Sequence, residues 1–248
     1  MRSEQAGVAV SRAGVEAAAV VVAVAPAAVG AAAWRVAAAA GWALGCGALV
    51  ASMLRLPGGA WWAMAAYHVG CVAATAILGS RGSAARVVGA RPGAGVLAGV
   101  AIASCAVVIV AGAIAAPQID WSPAARLWRT WGLEPPRDWL WLLYYASVNP
   151  WVEERFWRGA LLGDAVRSRL GTRGARILTI AAFLTHHAVV LLPSFGAARG
   201  LLLCVPILAA GALWVWLHER SGRLSWCIAS HAGADAGLVI LYLLGPRA

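Results

Sequence analysis

The stretch Pro150-Trp151-Val152-Glu153-Glu154-Arg155-Phe156-Trp157-Arg158 sets two adjacent carboxylates and two arginines inside a run that is otherwise apolar. Its surroundings decide how to read it. The chain has 248 residues, 62% of them hydrophobic and only 12% charged, with a mean hydropathy of +0.76. A soluble domain is about a quarter charged and under half apolar. At about 20 apolar residues per spanning helix, the length holds about eight spans and no sizeable soluble domain. The expected fold is therefore all-α, a polytopic membrane helical bundle. Ionisable groups at that depth cost about 3 kcal/mol each on insertion scales, so they face a partner or a water-filled cavity and mark function.

The basic balance does not indicate nucleic acid. All twenty basic residues are arginine, against ten acids, and they fall in short gaps between apolar runs, the pattern of loops that meet anionic headgroups. Lysine-free, Ala- and Gly-rich usage fits a GC-rich coding sequence, hence the inner (cell) membrane of a bacterium. Cys46, Cys71, Cys105, Cys204 and Cys227 have no CxxC spacing and all lie in apolar runs, so they read as small buried hydrophobes. Arg2 and Arg12 ahead of an Ala/Val run resemble a signal peptide, but Glu4 and Glu16 favour a retained first helix.

Spans are expected at residues 14–29, 33–54, 60–78, 94–116, 139–163, 177–192, 201–217 and 224–244. Pro26 and Gly30 separate the first two, and Pro57 and Gly58 make the next turn. Residues 117–137 alternate Trp121, Trp128 and Trp131 with Arg126 and Arg129, as a short helix lying in the interface would, either covering a site or simply anchored. No internal repeat or linker is visible, so one membrane domain over 1–248 is the expectation: four N-terminal spans (1–116), the interfacial segment, and four C-terminal spans (138–248). Arginine counts favour the loops after the third, fifth and seventh spans as cytoplasmic.

Few groups can answer the opening carboxylates. The second half offers His186, His187, His231 and Asp235; His68 in the third span reads as a hydrogen-bonded packing residue, His218 as a loop residue, and Asp120 and Asp164 as solvated. On an up-and-down path with a 1.5 Å rise per residue, Glu153, His187, His231 and Asp235 all fall roughly 10–20 Å from one membrane face. Glu154 and Arg158 are i,i+4 and suited to pair. Glu153 points about 100° away from Glu154, free to look into a cavity. His231 and Asp235 also share a face, so the carboxylate is placed to fix the imidazole tautomer. Pro150 is expected to kink the fifth span just before the carboxylates.

Two chemistries fit these parts. A carboxylate away from bulk water is a competent base towards a water molecule, and His187 and His231 would then donate to the oxygen that becomes negative. That is a glutamate-type peptide hydrolase with no cofactor. Alternatively Glu153, His187 and His231 would ligate zinc, a known catalytic set, although no HExxH is present. A proton- or cation-coupled transporter would use the same groups, but would distribute them over two related halves. A non-catalytic immunity or binding protein on the same scaffold is the remaining alternative.

Glu153-Glu154-x-x-x-Arg158-Gly159, then Phe183-x-x-x-His187, then His231-x-x-x-Asp235 resembles the CPBP family of intramembrane proteases, the CAAX-protease and bacteriocin-processing (Abi) group. The resemblance covers residues 138–244. It implies that Glu153 activates water, that Glu154 and Arg158 support the site, that His187 rather than His186 takes part, and that His231 completes the polar centre. The family commonly has Asn where this chain has Asp235, and that amide is thought to help hold the oxyanion, a role closed to an ionised aspartate. Aspartate there, with tryptophan-rich flanks, is similar to the myxosortase-like branch. The implied partner is a membrane-associated polypeptide cut near its C-terminus, whether lipidated or carrying a sorting tail.

Overall fold

The computed structural model describes residues 12–78, 92–115, 121–133 and 138–244. All their regular elements are helical, as apolar surroundings require: each backbone N–H and C=O must bond within its own segment. In chain order they are α1 (Arg12–Met53), α2 (Gly59–Leu78), α3 (Ala94–Ala115), α4 (Ser122–Thr130), α5 (Asp138–Ser147), α6 (Asn149–Glu154), a π-helical segment (Arg155–Ala160), α7 (Asp164–Phe195), α8 (Ala197–Ser221) and α9 (Leu224–Leu244). Among the described residues six stretches are long and apolar enough to cross a membrane: Ala33–Met53 within α1, and α2, α3, α7, α8 and α9. The protein is a multi-pass membrane protein.

Four expectations change in detail. Pro26 and Gly30 do not separate two spans, because α1 continues through both; in hydrocarbon, opening the backbone is costlier than carrying a proline within a helix. The expected fifth span is divided into α5, α6 and the π segment, with the break at Val148. Pro150 sits in the first turn of α6, where its missing N–H needs no partner. The arginines at 167–176 are helical rather than looped: α7 begins at Asp164 and breaks only at Gly171, whose φ of 69° demands glycine. Arg167 and Arg176 both reach Oε1 of Glu219, at 3.0 and 2.9 Å, which ties the start of α7 to the end of α8. His218, read as a loop residue, is buried in the last turn of α8.

Small residues set how closely the helices approach, as membrane bundles require. A Cβ on Gly233 would collide with the carbonyl oxygen of Ala101, and one on Gly237 would lie 2.9 Å from that of Cys105, so α9 rests on the backbone of α3. Gly70 likewise leaves room for the Trp42 ring between α2 and α1. On its other side α3 presents Val96, Ile102, Val107, Val110 and Ile114 outward. The buried core runs from Val36, Ala43 and Cys46 of α1 through Tyr67 of α2 to Phe156, Trp157, Phe183 and Trp214. All five cysteines are free.

The short helix expected within residues 117–137 is α4. Trp128 donates to the Ser194 hydroxyl at 3.2 Å, and Trp121 and Trp128 both meet the Phe195 ring edge-on. The chain then turns at Gly132 (φ 82°), which touches Gly58, while Ala60 N–H donates to the Trp131 carbonyl at 3.0 Å. Helix α4 therefore closes the bundle end formed by the α1–α2 turn and the end of α7. Expected solvated groups divide: Asp164 is exposed, whereas Asp120 lies outside the described residues, as do Arg81, Arg86, Arg91 and residues 1–11.

Candidate active site

Helix α6 and the π segment pass through the middle of the bundle. Leu161 N–H bonds to the Phe156 carbonyl at 3.0 Å, an i→i+5 contact that widens the turn. Such widened turns concentrate at functional sites. Here three consecutive side chains, Phe156, Trp157 and Arg158, are all completely buried. Arg158 Nη1 donates to Glu154 Oε1 at 2.8 Å, the pair read from their spacing. Its Nη2 reaches the Gly211 carbonyl at 3.4 Å, and its guanidinium lies against the Phe183 and Trp214 rings, 4.6 and 5.0 Å from their centroids.

His231 comes from α9 and stacks on Trp214, with centroids 4.1 Å apart. Its Nδ1 lies 2.8 Å from Glu154 Oε1. Its Nε2 faces the other two acids, 3.9 Å from Glu153 Oε2 and 3.6 Å from Asp235 Oδ1. The carboxylate that fixes this imidazole is therefore Glu154, not Asp235 one turn along α9. Since Glu154 already accepts from Arg158, it accepts here too, and the proton of His231 sits on Nδ1. Glu153 Oε2, by contrast, is buried and has no hydrogen-bond partner.

The two α7 histidines separate. His187 Nδ1 donates to the Phe183 carbonyl at 2.8 Å, and its ring is close enough to interact electrostatically with Glu153 and His231. His186 turns towards α1 and α2, stacking on Tyr67 with centroids 4.0 Å apart and placing Nδ1 3.8 Å from Cys46 Sγ. Tyr67 in turn accepts from Trp157 Nε1 at 3.0 Å.

A polar chain not anticipated from sequence meets Asp235 from the opposite side. Asn149 Nδ2 donates to Asp235 Oδ2 at 3.1 Å, and Asn149 Oδ1 lies 2.9 Å from His68 Nε2. His68 Nδ1 lies 2.7 Å from the Tyr144 hydroxyl. Tyr145 adds a hydrogen bond to Asp235. Because the amide oxygen only accepts, His68 carries its proton on Nε2 and Tyr144 donates to Nδ1.

Residues 135–237 match the family model described as type II CAAX prenyl endopeptidase Rce1-like. This stretch is a CPBP-family domain. No curated protein and no solved structure matches the chain. The CPBP domain begins just before α5 and ends within α9, so it contains Glu153, Glu154, Arg158, His187, His231 and Asp235. Membership brings an intramembrane endopeptidase in general terms, acting on a polypeptide in a lipid environment.

Within the CPBP domain the zinc alternative meets a geometric difficulty. His231 has the carboxylate contact on Nδ1 that ligating imidazoles usually carry. Yet among the described residues no three His, Cys, Asp or Glu side chains are grouped to hold a metal ion, the set Glu153, His187 and His231 included. Sequence reasoning also missed Asn149 and passed over His68. Asn149 stands four residues before Glu153 and so shares its helical face, a signal that spacing alone offered. His68, outside the domain, is a hydrogen-bonded residue as expected, but its bond runs into the site.

Proposed function

We propose that this CPBP domain hydrolyses a peptide bond near the C-terminus of a membrane-associated or lipidated protein, with water activated by Glu153. The observation that carries the reading is the inequality of the two glutamates. Glu154 is held through Oε1 by both Arg158 and His231, its Oε2 buried without a hydrogen bond, while Glu153 Oε2 is buried without a hydrogen bond and faces His231 at 3.9 Å. An unpaired buried acceptor costs about 1–3 kcal/mol, which a bound water or substrate group would offset.

The residues then divide the work. With Nδ1 committed to Phe183, neutral His187 offers a lone pair at Nε2, so it and Glu153 hold the two hydrogens of the attacking water. Its role is thus acceptor rather than the donor expected from sequence. The water oxygen bonds to the carbonyl carbon, its proton passes to Glu153, and the π pair moves onto the carbonyl oxygen. Protonated His231, held at Nδ1 by Glu154 and with the Asp235 carboxylate 3.6 Å from its other nitrogen, donates from Nε2 to that oxyanion. Collapse re-forms C=O and breaks C–N, and the proton on Glu153 leaves with the amine. A carboxylate and an amine result, with no change of oxidation state. Asp235, an acceptor towards Asn149, positions rather than donates.

The setting we infer is the inner membrane of a bacterium, on the arginine-only basic usage. The test is cleavage of a quenched farnesyl-CAAX peptide, and of a library of unprenylated C-terminal tails, by protein reconstituted in vesicles. Glu153→Gln and His231→Ala are each expected to lose cleavage by about 10²–10⁴ in kcat. Retained cleavage by both would end this mechanism. Preference for the farnesyl peptide would assign a prenyl substrate, and preference for a tail would assign protein sorting.

A further inference from the structure

We propose that Asn149 is the amide that holds the substrate's carbonyl oxygen in this protein; the inference rests on the hydrolytic reading above. An aspartate occupies position 235, and it accepts hydrogen bonds there, from Asn149 Nδ2 at 3.1 Å and from Tyr145. An accepting carboxylate has no N–H to offer an oxyanion. Asn149 is the chain's single asparagine, and the two glutamines, Gln5 and Gln118, lie outside the described residues. It is therefore the one side-chain amide among the described residues.

Its placement suits the task. Asn149 and Glu153 sit one turn apart on α6, on the same face, and both are buried. The ends of its amide are not interchangeable. Oδ1 receives the His68 Nε2 proton and Nδ2 faces a carboxylate oxygen, so Tyr144 and His68 fix the orientation from behind. A primary amide carries two N–H donors. One is spent on Asp235, and the other has no partner among the described residues. A donor held by two neighbours, Asp235 and His68, costs little reorganisation when charge develops, which is what makes an oxyanion donor effective. The aspartate thus orients the amide from across the site.

The experiment compares Asn149→Ala, Asp235→Asn and their double variant in vesicles. The probe is the quenched farnesyl-CAAX peptide, or the library tail that wild-type protein cuts fastest. Asn149→Ala is expected to lose about 10²–10³ in kcat with KM unchanged. Asp235→Asn introduces an amide from α9, so in the double variant it should restore most of the kcat that Asn149→Ala loses. A structural role for Asn149 predicts the reverse, an early-melting protein that the second substitution does not rescue. Should Asn149→Ala fail to fold, the isosteric Asn149→Asp, alone and with Asp235→Asn, makes the same comparison. The proposal is overturned if Asn149→Ala keeps the wild-type kcat, or if both double variants stay as inactive as the singles. Glu153→Gln in the same assay separates the two levels: if it also retains cleavage, the hydrolytic reading itself has failed. A wild-type protein that cuts no probe overturns both.

Discussion

His231 Nδ1 and Arg158 Nη1 converge on one oxygen, Oε1 of Glu154, each at 2.8 Å. A single buried carboxylate thereby neutralises a guanidinium and orients an imidazole. Removing the arginine leaves that charge uncompensated, and breaking a buried pair in this way costs about 3–5 kcal/mol. Arg158→Met should therefore melt well below wild type in detergent. Arg158→Lys should recover only part of the loss, since an ammonium lacks the planar fork that also reaches the Gly211 carbonyl and the flanking rings.

Glu154→Gln keeps the shape and removes the charge. The amide leaves the buried Arg158 guanidinium uncompensated and gives His231 Nδ1 only a neutral acceptor, so the fold and the Nε2 donor are both weakened. A loss of about 10²–10⁴ in kcat is expected, together with a melting temperature lowered as in Arg158→Met. Steady-state kinetics on the quenched peptide, alongside thermal unfolding, check both halves.

The adjacent histidines give a sharp contrast. His187 faces the Glu153 side with its Nδ1 on Phe183, while His186 packs against Tyr67 and Cys46. His187→Ala should lower kcat by about 10²–10⁴. His186→Ala should leave kcat near wild type and show its effect as a loss of stability, because it deletes a stacked ring from the α1–α2–α7 packing. Equal kcat losses would contradict the division of roles.

Much of this was legible in the residues, and the limits have physical causes. Hydropathy marked the membrane class, and i,i+4 spacing paired Glu154 with Arg158, because both are local properties of one helix. Spacing assigned Asp235 to His231 for the same reason, yet the closer contact comes from Glu154 on another helix. Which helix supplies a partner depends on rotation and approach, and these are set by contacts such as Gly233 on the Ala101 carbonyl. The π turn escaped notice because its i→i+5 bond leaves no compositional mark. Asn149 was overlooked beside the charged pair that follows it, and Asp138, just ahead of the expected fifth span, is buried and accepts from Tyr242 at 2.8 Å.

Metal removal tests the alternative left by the donor types. A zinc site needs three protein ligands at about 2.0–2.2 Å, and no such group is assembled among the described residues. Cleavage after dialysis against 1,10-phenanthroline is expected to equal that of untreated protein. Loss of activity that added zinc restores would reinstate Glu153, His187 and His231 as ligands and would displace the base role given to Glu153.

Gly233 lies between His231 and Asp235 on α9, and it fixes the height of both against the rest of the site. Its missing Cβ would run into backbone, the Ala101 carbonyl oxygen, so no rotamer change relieves the clash. Gly233→Ala must separate α9 from α3, an overpacking that costs about 1–3 kcal/mol. The same displacement carries the His231 ring away from Glu154 and Glu153. Melting temperature and kcat should therefore fall together, and Ala101→Gly should rescue neither, because the clash is with main chain. Gly99→Ala on α3, where a Cβ meets nothing within 4 Å, should leave both unchanged or raise the melting temperature slightly through the lower entropy of the unfolded chain. If the two glycine variants behave alike, the close α3–α9 approach is not what positions His231.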